Sequence, residues 1–399
     1  MFKRGVSSLT KDKPSDIAEK RSRKVIVFIR NSWLILGISL LSLAVLEVVL
    51  SLFVVDYFTP PDPRNPDVRA KADAYKNVSW GNDYFKEFNE SFDARWEPYV
   101  YWHRKPYKGK YITIDSTCRR FTPNPEIGSE HVPRIFMFGG STMWGTGARD
   151  SFTIPAILAA ELGRRGTTVE VINFGESGFV TTQEVIVLLR ELQKGNIPDA
   201  VVFYDGINDA YSAYQQGIPG LAQNETNRVQ EFNMLKRLPE LRGMVLKDAV
   251  SNLATVRVAK SILGIKETES EPDFDAHVAE QSVDLYLKNI GLVKALAASY
   301  KFKFQFYWQP TIFGKNKLSE YEQSEYDSQK HLERVYMETY RMVHDKSTSV
   351  RTDKSFHNLS DIFLHEEEPV YIDWMHLSER GNAVIAMAMA EETAYLLEQ

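Results

Sequence analysis

Residues 136–147 read FMFGGSTMWGTG, an apolar run that ends in two glycines and then presents Ser141 and Thr142. With RIFMF (134–138) as a strand buried on both faces, the glycines make the turn at its carboxyl end. Ligands of open α/β sheets gather at that end, so Ser141 stands where chemistry is done. A dinucleotide cradle would need GxGxxG here and an acidic residue closing the second strand. The turn instead reads GGSTMWG, and the second strand runs into Asn173, Phe174 and Gly175. A phosphate loop would need a lysine after its last glycine, and the esterase elbow GxSxG is absent. An exposed nucleophile and a helix-capping serine remain.

Working outward, VEVIN (169–173), AVVFY (200–204) and FKFQFYW (302–308) repeat the pattern of short apolar runs. Between and after them lie segments of helical periodicity at 153–165, 226–250 (broken near Pro239), 277–300, 319–343 and 378–398. Strands alternating with helices predict a three-layer α/β/α domain around a central parallel sheet, over residues 134–399. A helical insertion interrupts it at about 211–275. Residues 56–133 form an extension rich in aromatics and proline. In its block RWEPYVYWHRKPYKGKYITID (95–115), aromatic and polar residues alternate, which suggests short extended segments covering one edge of the main domain or packing as a linker.

The chain has 399 residues, 43% hydrophobic and 25% charged, with a net charge of −5, which argues against nucleic acid as a partner. Cys118 is the single cysteine, so no intrachain disulfide can form. Residues 33–55, WLILGISLLSLAVLEVVLSLFVV, are long enough to cross a bilayer. Before them, residues 1–32 carry nine Lys and Arg against three acidic residues, while 56–70 holds only Arg64 and Arg69. The positive-inside rule therefore predicts a single-pass membrane protein with a basic cytoplasmic tail and everything after Val55 outside, periplasmic or extracellular. A cleaved signal peptide fits less well, because the apolar run is long and no small-x-small site precedes Asp56. Glu47 interrupts the run and marks either a contact for a partner helix in the membrane or a residue that snorkels.

Four short blocks occur in order: GGST (139–142) after the first strand, NFGESGF (173–179) after the second, GIND (206–209) after the third and DWMH (373–376) before the last helix. Their order and placement resemble the SGNH, or GDSL-like, hydrolase family, whose fold is flavodoxin-like and whose nucleophile block takes GDS or GGS forms. The resemblance implies Ser141 as nucleophile, His376 as general base and Asp373 as the carboxylate that orients it. It assigns the oxyanion donors to the backbone N–H groups of Ser141 and Gly178 and the side-chain amide of Asn208, with Gly175 as the alternative to Gly178.

These roles suit acyl transfer, because a serine hydroxyl attacks only when a base takes its proton, and the intermediate's oxyanion needs fixed donors. The other histidines (103, 131, 277, 331, 344, 357 and 365) lack catalytic context. A metal site at His357, Asp361 and His365 is set aside, since the DxxH chemistry needs no metal and no cofactor. Gln309-Pro310 reads as a strand terminator that points toward the pocket.

The expected activity is a serine esterase acting on an acyl or acetyl ester of a small molecule, glycan or lipid. An O-acyltransferase of envelope glycans shares the first half-reaction. A catalytically idle tethered scaffold or glycan-binding module is the reading from another class.

Overall fold

The computed structural model describes residues 14–58, 67–125, 132–234, 238–251, 253–263, 272–350 and 355–398. The first part of the basic tail and His131 lie outside them. Two compact units emerge: residues 1–62 with 234–269, and residues 63–233 with 270–399.

In the larger unit five strands form one parallel sheet: β5 (Arg134–Gly139), β6 (Glu170–Asn173), β7 (Ala200–Asp205), β8 (Lys303–Trp308) and β9 (Phe356–Asn358), in the order β6-β5-β7-β8-β9. The expected three-layer α/β/α fold is present. Helices Ile154–Arg164 and Glu379–Glu398 pack on each other, while Thr181–Gln193, Ile207–Gln216 and Glu333–Val350 gather around Ala276–Tyr300. The central strands are buried along almost their whole length, as parallel strands covered on both faces must be. Register places Phe138 beside Phe203 and Phe203 beside Phe306. Their rings stack at 4.9 and 4.3 Å, a phenylalanine ladder tying three strands together.

The extension folds onto this unit. Within it β1 (Ala94–Glu97) pairs antiparallel with β2 (Tyr101–Arg104), and β3 (Tyr107–Lys108) with β4 (Thr113–Ile114). The helix Gly81–Glu90 buries Tyr84, Phe85 and Phe88 in a second apolar cluster that reaches Trp144 and Ile372, close to both ends of the candidate site.

In the smaller unit a single helix runs from Pro14 to Phe58, so the basic segment after Pro14 is helical and continuous with the apolar one. Its stretch Arg21–Ser51 is long and apolar enough to cross a membrane. Two further helices, Leu238–Ser251 and Ala254–Ile262, complete the unit. Pro239 falls in the first turn of the former, where a missing N–H costs nothing. Glu47 finds its partner in this same chain. Its carboxylate accepts from the backbone N–H of Ala254 (2.5 Å) and of Thr255 (2.9 Å), and from the Thr255 hydroxyl (2.8 Å).

Candidate active site

Gly139 closes β5, and Ser141 opens a one-turn helix, Ser141–Trp144. The Ser141 N–H therefore belongs to the first helical turn, which has no acceptor within the helix. Gly140 is the necessary residue before it: a Cβ there would stand 2.3 Å from Asn208 Nδ2. The approach of the GGST and GIND blocks depends on that missing atom.

His376 comes from a different part of the chain and meets Ser141. The imidazole Nε2 lies 2.7 Å from Ser141 Oγ, and its Nδ1 lies 2.7 Å from Asp373 Oδ2. Asp373 Oδ1 accepts from the backbone N–H groups of Met375 (3.0 Å) and His376 (2.7 Å), which closes the DWMH segment into a tight turn. Neighbours hold the turn: Ile312 N donates to Trp374 O at 3.0 Å, and the Tyr321 hydroxyl to Ile372 O at 2.8 Å. Burial alone would raise the Asp373 carboxyl. The charge and hydrogen bonds of His376, joined by the charge of Arg69, outweigh it and hold the group well below the usual carboxylate range.

Of the residues expected as oxyanion donors, Asn208 lies beside the Ser141 turn, its amide close to Gly140. Asn208 donates one amide N–H to Phe179 O at 2.8 Å, which fixes the side chain and leaves its second N–H for another acceptor. Gly178 has φ +75°, a conformation that favours glycine, and a Cβ there would press on Gln223 Oε1 at 2.9 Å. Gly175 is packed differently. A Cβ would come within 2.4 Å of Trp144 N, and its own N–H is taken by Asn173 Oδ1 at 2.8 Å, so the Gly175 N–H is already engaged. Asn173 also donates to Met143 O at 3.0 Å, joining the second block to the first. Asp209, the last residue of GIND, accepts from Thr181 N and from the Thr181 hydroxyl (2.8 Å). Burial pushes the Asp209 carboxyl up to about 6 against those donors. Behind it Asp205, at the end of β7, faces Glu184. Burial and then the charge of Asp205 push Glu184 well up, while burial raises Asp205 to about 7 against the lowering hydrogen bond with Glu184, so this pair retains a proton that two isolated acids would lose.

Sequence reasoning missed three sets of residues here. Arg69, from the extension, lies with Nη1 3.8 Å from Asp373 Oδ2 while Asp67 grips its Nε and Nη2 at 3.0 and 2.7 Å. Its guanidinium sits over the rings of Phe88 (5.0 Å) and Phe85 (5.3 Å). Gln309, read as a strand terminator, is buried and donates from Nε2 to Thr142 Oγ1, beside the nucleophile. The β1–β2 hairpin clamps the loop that carries Glu176 and Ser177. Trp102 Nε1 donates to Ser177 O at 2.8 Å, Arg104 Nη2 to Ser177 Oγ at 2.9 Å and Arg104 N to Glu176 Oε2 at 3.0 Å. Alternating aromatics in 95–115 gave the strands but nothing about what they would touch. His357 has a plain packing role as well, its ring stacked on Tyr307 at 4.7 Å.

Residues 135–389 match the sequence model of the GDSL-like lipase/acylhydrolase family. The chain belongs to this family. It is accordingly an ester hydrolase of the GDSL type. Among curated proteins no match is found. Solved structures to which the chain is similar include an acetyl xylan esterase (15% identity, 65% of this chain and 98% of that one, TM-score 0.37). A catalytic mutant of an acetylxylan esterase from Geobacillus stearothermophilus has 16% identity, with 65% and 93% covered and a TM-score of 0.36. The lipase/acylhydrolase from Enterococcus faecalis has 12% identity, with 66% and 96% covered and a TM-score of 0.35.

Proposed function

We propose that this GDSL-type hydrolase cleaves acyl or acetyl esters through a Ser141 acyl-enzyme, in a membrane-anchored chain whose catalytic unit lies outside the cytosol. The observation that carries the reading is the unbroken hydrogen-bond chain from Ser141 Oγ through His376 to Asp373, drawn from segments 235 residues apart. Ser141 Oγ attacks the ester carbonyl as His376 Nε2 takes its proton, and Asp373 steadies the imidazolium that results. The oxygen left negative accepts from Ser141 N–H, Gly178 N–H and the free N–H of Asn208. One such donor is worth about 3–4 kcal/mol at the transition state. Collapse expels the alcohol, which leaves with the proton from His376. Water, activated by the same imidazole, then releases the acid and restores Ser141. A sugar hydroxyl in place of water would give an O-acyltransferase by the same steps.

The test is hydrolysis of p-nitrophenyl acetate by the full-length chain in detergent, with and without Ser141→Ala. Release of nitrophenol should be lost in the variant, and equal rates in the two would remove the reading. Orientation is checked separately, with a reporter fused after Gln399 that works only outside the cytosol. Silence of that reporter would reverse the topology.

A further inference from the structure

Glu47 sits 8 residues before Val55, about 12 Å along a helix from the end of the apolar stretch from which the chain continues to its catalytic part. In a bilayer whose hydrocarbon core is about 30 Å thick, that depth is inside the apolar layer, where a bare carboxylate is costly. The start of the helix Ala254–Ile262 has the opposite problem, since its first N–H groups have no acceptor within the helix. Each answers the other's need: the carboxylate takes the N–H groups of Ala254 and Thr255 and the Thr255 hydroxyl.

The two helices around this contact are built for an interface between water and lipid. Ile262 and Leu263 are 79% and 71% exposed, and Leu246 and Val245 are 65% and 62% exposed. Residues 234–263 hold six Lys and Arg against two acidic residues, in a chain that is acidic overall. Exposed aliphatic residues together with an excess of cations fit a leaflet carrying anionic headgroups.

We propose that the helices Leu238–Ser251 and Ala254–Ile262 form a membrane-embedded hairpin, seated on the transmembrane helix at the depth of Glu47 in the leaflet. The occupant of its apolar face is lipid. The hairpin branches from the chain between residues 233 and 270, so the catalytic unit gains a second attachment to the bilayer besides the anchor. This inference rests on the anchored reading of residues 33–55 and is independent of the catalytic one.

The experiment uses the full-length chain with Cys118→Ser, carrying single cysteines at Leu40, Lys194, Leu246 or Ile262. Each is labelled with bimane and reconstituted into phosphatidylcholine–phosphatidylglycerol vesicles with or without nitroxide-bearing acyl chains. Fluorescence should fall by about two-fold or more at 40, 246 and 262 and stay unchanged at 194. Glu47→Leu should restore fluorescence at 246 and 262 and leave 40 quenched. Quenching at 40 with 246 and 262 as bright as 194 overturns the hairpin and leaves the anchor standing. No quenching at 40 overturns both. A blue-shifted emission at 262 without lipid quenching puts protein on that face and also overturns the proposal, as does quenching at 262 that Glu47→Leu does not change. Nitrophenyl acetate hydrolysis, read on the same samples, reports on Ser141 separately.

Discussion

Two carboxylates, one in each unit, are held by the same local device and differ in what surrounds it. Asp373 accepts from two backbone N–H groups and an imidazole. Glu47 accepts from two backbone N–H groups and a hydroxyl. Around Asp373 the third donor can itself carry charge, and Arg69 stands 3.8 Å away, which under the proposed mechanism makes the carboxylate part of a proton-handling circuit. Around Glu47 the donors among the described residues are neutral, and the carboxylate fastens one helix to another. Backbone capping positions an acid, and the titratable neighbour decides whether the acid does chemistry.

The sharpest way to break this contrast is to neutralise each acid in turn. Asp373→Asn should lower kcat/KM by about 10⁴-fold, because the amide no longer enforces the imidazole tautomer, with Ser141→Ala at least as severe. Glu47→Gln should leave kcat/KM for a soluble ester in detergent within about two-fold, since its donors lie outside the proton circuit. A large kinetic loss in Glu47→Gln would make the two carboxylates alike after all.

A smaller effect is expected at the oxyanion site, where Asn208→Ala should reduce kcat by about 10²–10³-fold with KM little changed. Steady-state kinetics with p-nitrophenyl acetate separates the two terms. Smaller again is Arg69→Met, which keeps the packing over Phe85 and Phe88 but removes the charge beside Asp373. A loss of about ten-fold, mainly in kcat, with partial recovery in Arg69→Lys, would place Arg69 as a positioning residue. Equal losses in both variants would give it a purely structural role.

A third acid sharpens the comparison from the side of stability. Burial raises Glu184 in the folded state, so between pH of about 4 and that raised value the native chain holds more protons than the unfolded one. Stability therefore falls as pH rises through that window. Glu184→Gln mimics the protonated acid and should flatten the fall, leaving the variant about 1–2 kcal/mol more stable than the parent at pH 8 and little different at pH 4. Urea unfolding at the two pH values reads it directly.

How much of this was legible in the sequence follows from where the partners lie. The four long strands announced themselves through runs of buried apolar residues. β9 did not, because its three residues, Phe356 to Asn358, are half-buried at the sheet edge and carry no pattern. That Asp373 and His376 would meet was legible because they stand three residues apart. Arg69 was not: it stands 304 positions before Asp373, in no motif, and only the folding of the extension delivers it. Gln309 was seen at the right place, but a strand end does not say whose hydroxyl its amide will meet. At Glu47 the cost of the charge was visible. Its partner, 207 residues downstream and an ordinary helix start, was not.

The most direct measurement is mass spectrometry of the full-length chain after treatment with a serine-directed fluorophosphonate. A single adduct on Ser141, absent in His376→Ala, is the expected result. Ester hydrolysis that persists with Ser141 unlabelled, or an adduct on a different serine, would contradict the assignment of nucleophile and base.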